Sequence, residues 1–167
     1  MSEGRVLSDI QIESYLNERK SVSLSKIKSS KWKQKSGHRQ KNIDLDQIDP
    51  DYSFQIFERQ NTNNFLDFSV GIYLKFTTSN EKIVLMRCNG NSHIHPNKIE
   101  KNIIHRKFHV HYATERYMSL GVNKAESFAE ETTEYTDIDT AFQYLCRRAN
   151  IKIGDPANAR LDENDWE

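Results

Sequence analysis

The sequence is poor in cysteine, has no long apolar run and carries none of the common catalytic signatures. Two cysteines, Cys88 and Cys146, among 167 residues make no disulfide framework, and a chain of this length requires none. Both sit in apolar surroundings, Cys88 at the end of a strand-like run and Cys146 on an apolar helix face, and read as small buried hydrophobes. No stretch of 18 apolar residues occurs, so no membrane-spanning helix is expected. The opening MSEGRVLSDIQIESYLNERK lacks the apolar segment of a secretory leader, and the expected location is the cytoplasm. The phosphate-cradling patterns G-x-G-x-x-G and G-x-x-x-x-G-K-[ST] are missing, as are G-x-S-x-G, H-E-x-x-H and paired C-x-x-C. These absences argue against a nucleotide site of the usual kind, a serine-hydrolase triad and a helix-borne zinc site.

What is present is enough apolar surface for one core: 36% hydrophobic and 10% aromatic residues in a chain too short for two full domains. Net charge is zero, but the charges are segregated. From Arg19 to Lys41 there are nine Lys or Arg and no acid, whereas Glu126–Asp139 holds six acids and no Lys or Arg. Periodicity divides the chain further. Ser8 or Asp9 is placed to cap a helix whose stripe is Ile12, Tyr15 and Leu16. Phe68, Val70, Ile72, Leu74 and Phe76 share one face of a strand, flanked by strand-like runs at 52–59 and 82–88. A fourth strand is expected at 106–112, and a last helix over 137–149 carries Ile138, Ala141, Phe142 and Leu145.

The expected fold is therefore α+β, a mostly antiparallel four-stranded sheet packed by a C-terminal helix, with a short N-terminal helix. The expected organisation is an N-terminal helix and basic segment over 1–50, an α+β core domain over 51–150 and an acidic tail over 151–167.

Two groups of residues carry chemistry. Five of the six histidines lie between 93 and 111, in the pairs His93/His95 and His109/His111 with His105 between them. In an extended strand, residues i and i+2 project from one face about 7 Å apart, so His109 and His111 point together. With His93 and His95 on a neighbouring loop they would offer up to four nitrogen ligands to zinc or another divalent metal. Glu115 would serve as a further ligand or a general base. Without metal, His109 and His111 beside Arg106 and Lys107 would suit phosphodiester cleavage by acid–base catalysis. The plainer alternative makes them polar residues on the solvent face of an edge strand.

The second group is the basic segment, in which Lys26, Lys28, Lys31, Lys33, Lys35, Arg39 and Lys41 surround Trp32. It reads as a flexible arm or a solvated hairpin turning at Ser36–Gly37. Cations of this density suit a phosphate backbone, and an aromatic among them suits base stacking.

The stretches R-C-N-G at 87–90, H-x-H-P-N at 93–97, F-H-V-H-Y-A-T-E-R-Y at 108–117 and G-x-x-x-x-E-S-F-A-E at 121–130 resemble a family of small uncharacterised proteins of bacteria, phages and mobile elements. The resemblance spans roughly residues 50–150, omits the basic segment and implies a cellular context rather than an activity. Three functions follow as expectations: a nucleic-acid-associated or protein-interaction factor acting on host machinery, with nucleic acid or a nucleic-acid-binding protein as partner; a metal- or histidine-dependent phosphodiesterase; and a purely protein-binding inhibitor.

Overall fold

The computed structural model describes residues 4–121 and 124–154. Helix α1 (Asp9–Asn17) begins at a capping box, in which the Ser8 hydroxyl accepts from the Gln11 amide and the Gln11 side chain accepts from the Ser8 amide. Strand β1 (Lys20–Val22) and helix α2 (Leu24–Ser29) follow. Then come β2 (Lys33–Lys35), β3 (His38–Asp44), β4 (Tyr52–Asn61), β5 (Phe68–Phe76) and β6 (Lys82–Asn89). A small hairpin, β7 (Ile94–Asn97) and β8 (Asn102–His105), precedes β9 (His109–Tyr112). The short helix α3 (Glu115–Met118), β10 (Phe128–Glu131), helix α4 (Ile138–Arg148) and β11 (Ile151–Ile153) complete the described chain.

The main sheet has seven strands in the order β10-β9-β6-β5-β4-β3-β2, antiparallel throughout, rather than the four expected. The additional strands are β2, β3 and β10. Only Ile43 is buried along β3, so this strand has no apolar alternation by which to be recognised. From Lys33 onward the basic segment is accordingly the β2–β3 hairpin at the sheet's end, turning at Ser36–Gly37 with Gly37 at φ +79°, and its earlier part is β1 and α2. The expected boundary at residue 50 falls inside the sheet, between β3 and β4. Of the expected tail, 151–153 form β11, paired in parallel with β1, and 155–167 lie outside the described residues.

One face of the sheet is apolar. Ile56, Val70, Ile72, Leu74, Leu85, Cys88 and Val110 are buried there in one cluster with Ile138, Ala141 and Leu145 of α4 and with Ile12 and Leu16 of α1. Helix α4 starts at Asp137, which accepts from the Thr140 amide at 2.8 Å. Lys20 ties the helix ends together. Its ammonium is buried and donates to the carbonyls of Tyr15, Leu16, Glu18 and Ala149 at 2.6–3.1 Å. Burial pulls its pKa down to about 8, which still leaves it charged at pH 7. No helix among the described residues is long and apolar enough to cross a membrane.

Candidate nucleic-acid interface

The opposite face of the sheet is polar, and its composition follows from strand register. Residues directly opposite one another on neighbouring strands project to the same side. One such row runs Lys33, Gln40, Arg59, Ser69, Asn89, His109, Glu131 across all seven strands. The adjoining row runs Asn42, Phe57, Gly71, Arg87, His111, Ala129, and Lys35 and His38 begin a third with Asn61. The face therefore grades from cations on β2 to imidazoles on β9.

The β7–β8 hairpin covers the imidazole end. Asn97 fixes it to β10, its amide nitrogen donating to the Ala129 carbonyl at 2.8 Å and its amide oxygen accepting from the Ala129 N–H at 2.9 Å. His95 of the same hairpin meets His109 and His111, with ring centroids 4.5–5.8 Å apart within the trio. Each imidazole is tethered to a backbone carbonyl: His95 Nε2 to Ser127, His109 Nδ1 to Lys107 and His111 Nδ1 to Glu126, at 2.7–2.8 Å. His109 and His111 are only 1% and 3% exposed. Burial, helped by the Arg87 charge, pushes both below the ordinary imidazole range, so they are neutral at pH 7.

This arrangement corrects the histidine expectations. Strand β9 lies inside the sheet, between β6 and β10, and is no edge. His109 and His111 do project together, but into a closed layer where no substrate reaches them. His93 stands apart with its side chain 69% exposed, near Ser92 and Asp67. His105 is exposed at the end of β8. Glu115 is exposed in the first turn of α3, where its amide donates to Asp9, and no hydrogen bond or ion pair joins it to a histidine among the described residues. Nor do the four expected ligands suit zinc. His93 is elsewhere, and His95 and His109 stack with their planes only 17° apart, turning faces rather than lone pairs to each other. Among the described residues no set of three His, Cys, Asp or Glu is placed to hold a metal ion.

Beyond the hairpin the polar face is open and forms a cleft of about 460 Å³. Its lining includes His38, Arg59, Ser69, Arg87, Asn89 and His93, with Asp67 as its one carboxylate among the described residues. Among the described residues Arg87 is incompletely satisfied: its Nε is buried without a hydrogen-bond partner, and the carboxylate it pairs with, Glu126, stands 3.9 Å away. Arg59 is exposed and makes no ion pair among the described residues. A half-buried guanidinium short of acceptors, beside the exposed guanidinium of Arg59, is a place where an anion gains charge-assisted hydrogen bonds.

The register also sorts the basic segment. Lys33 and Lys35 lie on the cleft face. Arg39 and Lys41, one residue out of phase, lie on the other and are already engaged. Arg39 donates to Gln60, Lys41 pairs with Glu58 at 3.4 Å, and the two cations cover Trp32 at 4.0 and 4.7 Å. Trp32 is partly buried against the core, so its expected stacking on a base is replaced by stacking on cations. Lys26 and Lys28 are exposed on α2. Lys31 joins Lys33, Lys35 and Lys41 around a second hollow at the outer edge of β2 and β3. Sequence reasoning missed Arg59, Arg87 and His38 as a group. The available signal was strand parity, which needs the pairing of four separate strands to be read.

Comparison with known proteins gave no matching family model, no matching curated protein and no matching solved structure.

Proposed function

We propose that the open face of the sheet binds the phosphate backbone of a single-stranded nucleic acid. The observation that carries this reading is the cleft itself, where Arg59 and the under-satisfied Arg87 face His38 and His93 across a lining with one carboxylate among the described residues. Lys33 and Lys35 continue the positive charge to the sheet's end. From β2 to β6 the face spans four strand spacings, about 19 Å, which is room for a few consecutive phosphates of an extended strand. A sheet face of this width, with no helix standing free among the described residues to enter a groove, suits a flexible single strand better than a duplex.

The test is fluorescence polarisation with a labelled single-stranded oligonucleotide across a salt series. Four fixed cations, Lys33, Lys35, Arg59 and Arg87, predict a log–log slope near about −3. Arg59→Glu and Lys33→Glu should each weaken binding by at least about tenfold at low salt. A protein-binding inhibitor would instead show no affinity for the oligonucleotide at low salt, and that result would reject the proposal.

A further inference from the structure

The geometry points to an activity for this cleft: metal-independent cleavage of RNA with His38 and His93 as the acid–base pair. The inference rests on the nucleic-acid reading above and adds a reaction to it. Cleaving an RNA phosphodiester requires little that the substrate does not bring, because the 2′-hydroxyl is an internal nucleophile. The protein must supply two proton-transfer groups on either side of the phosphorus and cations for the non-bridging oxygens.

The cleft holds that set. His38 enters from the start of β3, beside the Gly37 turn, and His93 enters from the loop after β6. Contacts across the cleft tie them together. His38 sits opposite Asn61 on β4, the Asn61 amide donates to Asp67 Oδ2 at 3.3 Å, and Asp67 Oδ1 lies 3.7 Å from His93 Nδ1. His38 Nδ1 faces the Ser36 carbonyl at 3.3 Å and His93 Nδ1 faces the Ser92 hydroxyl at 2.9 Å, which leaves Nε2 of each ring free for a substrate. Arg59 and Arg87 supply the cations between them. The loop that carries His93 reaches this position because residue 90 is glycine. A Cβ there would stand 1.7 Å from the Leu66 carbonyl oxygen, against which the loop is hydrogen-bonded through Asn91.

The step balances within the substrate and the two imidazoles. His38 takes the proton of the 2′-hydroxyl on its Nε2 as the 2′-oxygen bonds to phosphorus. His93, beside Asp67, gives the proton on its Nε2 to the departing 5′-oxygen as the P–O5′ bond breaks, so that a proton has passed in effect from His93 to His38. The products are a 2′,3′-cyclic phosphate and a free 5′-hydroxyl, and no outside oxidant, reductant or metal takes part.

The experiment follows a fluorophore–quencher RNA oligonucleotide in single turnover with EDTA present, alongside binding of the same sequence as 2′-O-methyl RNA. The wild-type chain should cleave the RNA and leave 2′,3′-cyclic phosphate ends, identified by mass spectrometry. His38→Ala and His93→Ala, each at protein concentrations that saturate the substrate, should slow single-turnover cleavage by about 100-fold or more. A 5′-thio leaving group, which needs no proton, should restore cleavage by His93→Ala but not by His38→Ala. Binding without cleavage, cleavage that stops in EDTA, or wild-type rates in both variants would overturn the activity while leaving the binding proposal standing. Absence of binding to the 2′-O-methyl strand would remove both.

Discussion

Acid should loosen this protein through its buried imidazoles, and His111 gives the effect its size. Its side chain is 3% exposed, and burial, followed by the charge of Arg87, brings its pKa from an ordinary 6.5 down to about 2. A group whose folded pKa lies below its unfolded value binds fewer protons folded than unfolded. Its contribution is therefore intact above pH 6.5 and declines as pH falls beneath it. At pH 5, about 1.5 units below the unfolded value, the cost is about 2 kcal/mol from His111 alone. For a chain of this length that corresponds to a fall in Tm of about 4–8 °C. His109 shifts in the same direction and adds to it. The assay is urea denaturation at pH 7.5 and pH 5 of the wild-type chain and of His111→Gln. Because carboxylates titrate in both proteins alike, the informative quantity is the difference between the two pH dependences. The wild-type chain should lose about 2 kcal/mol more than the variant over this interval. An equal loss in both would show that His111 is protonated without penalty in the folded state, and the closed layer beneath the β7–β8 hairpin would have to be open to water.

Three further outcomes follow from named contacts. Lys20→Met should destabilise by about 3 kcal/mol, because four carbonyls at the ends of α1 and α4 lose a shared donor; denaturation midpoints at constant m-value report it. Asn97→Ala should cost about 1–3 kcal/mol by leaving both backbone groups of Ala129 without their partner, and hydrogen exchange should quicken in residues 94–105 ahead of the rest of the sheet. Trp32→Ala should lower stability yet leave oligonucleotide affinity within about twofold, since the indole stacks on Arg39 and Lys41 away from the cleft; a loss of affinity comparable to that of Arg59→Glu would place the binding face on the wrong side of the sheet.

The parts legible in the sequence were those whose periodicity reports burial in an apolar core. Phe68 to Phe76 alternates because β5 lies at the sheet's centre under α4, and Ile138, Ala141 and Leu145 recur at helical spacing because they cover it. Strand β3 was invisible because its cleft side carries His38, Gln40 and Asn42 and its other side spends Arg39 and Lys41 on Trp32 and Glu58. The pairing of His109 with His111 was legible from parity alone. Their burial was not, since it depends on a hairpin of four-residue strands held by Asn97 against β10, by the His95–Ser127 contact and by Tyr117. The convergence of His38 and His93 was further out of reach, because more than fifty residues separate them and only the pairing of β3 through β6 brings them to one cleft. Lys20 carried no sign of its burial, standing in a run of cations that reads as solvated.

The contact between Asn97 and Ala129 has a consequence for how copies of this chain meet. An outermost strand offers unpaired amides and carbonyls to any other extended chain, and is a common starting point for aggregation. At β10 the Asn97 carboxamide occupies both groups that Ala129 would present, imitating a neighbouring strand at the position where one would begin. At the far end β2 is three residues long, fully exposed, and carries Lys33 and Lys35, whose charges repel a second copy in the same register. The seven-stranded sheet is thus guarded at both margins, by a side-chain amide at Ala129 on one and by like charge on the other.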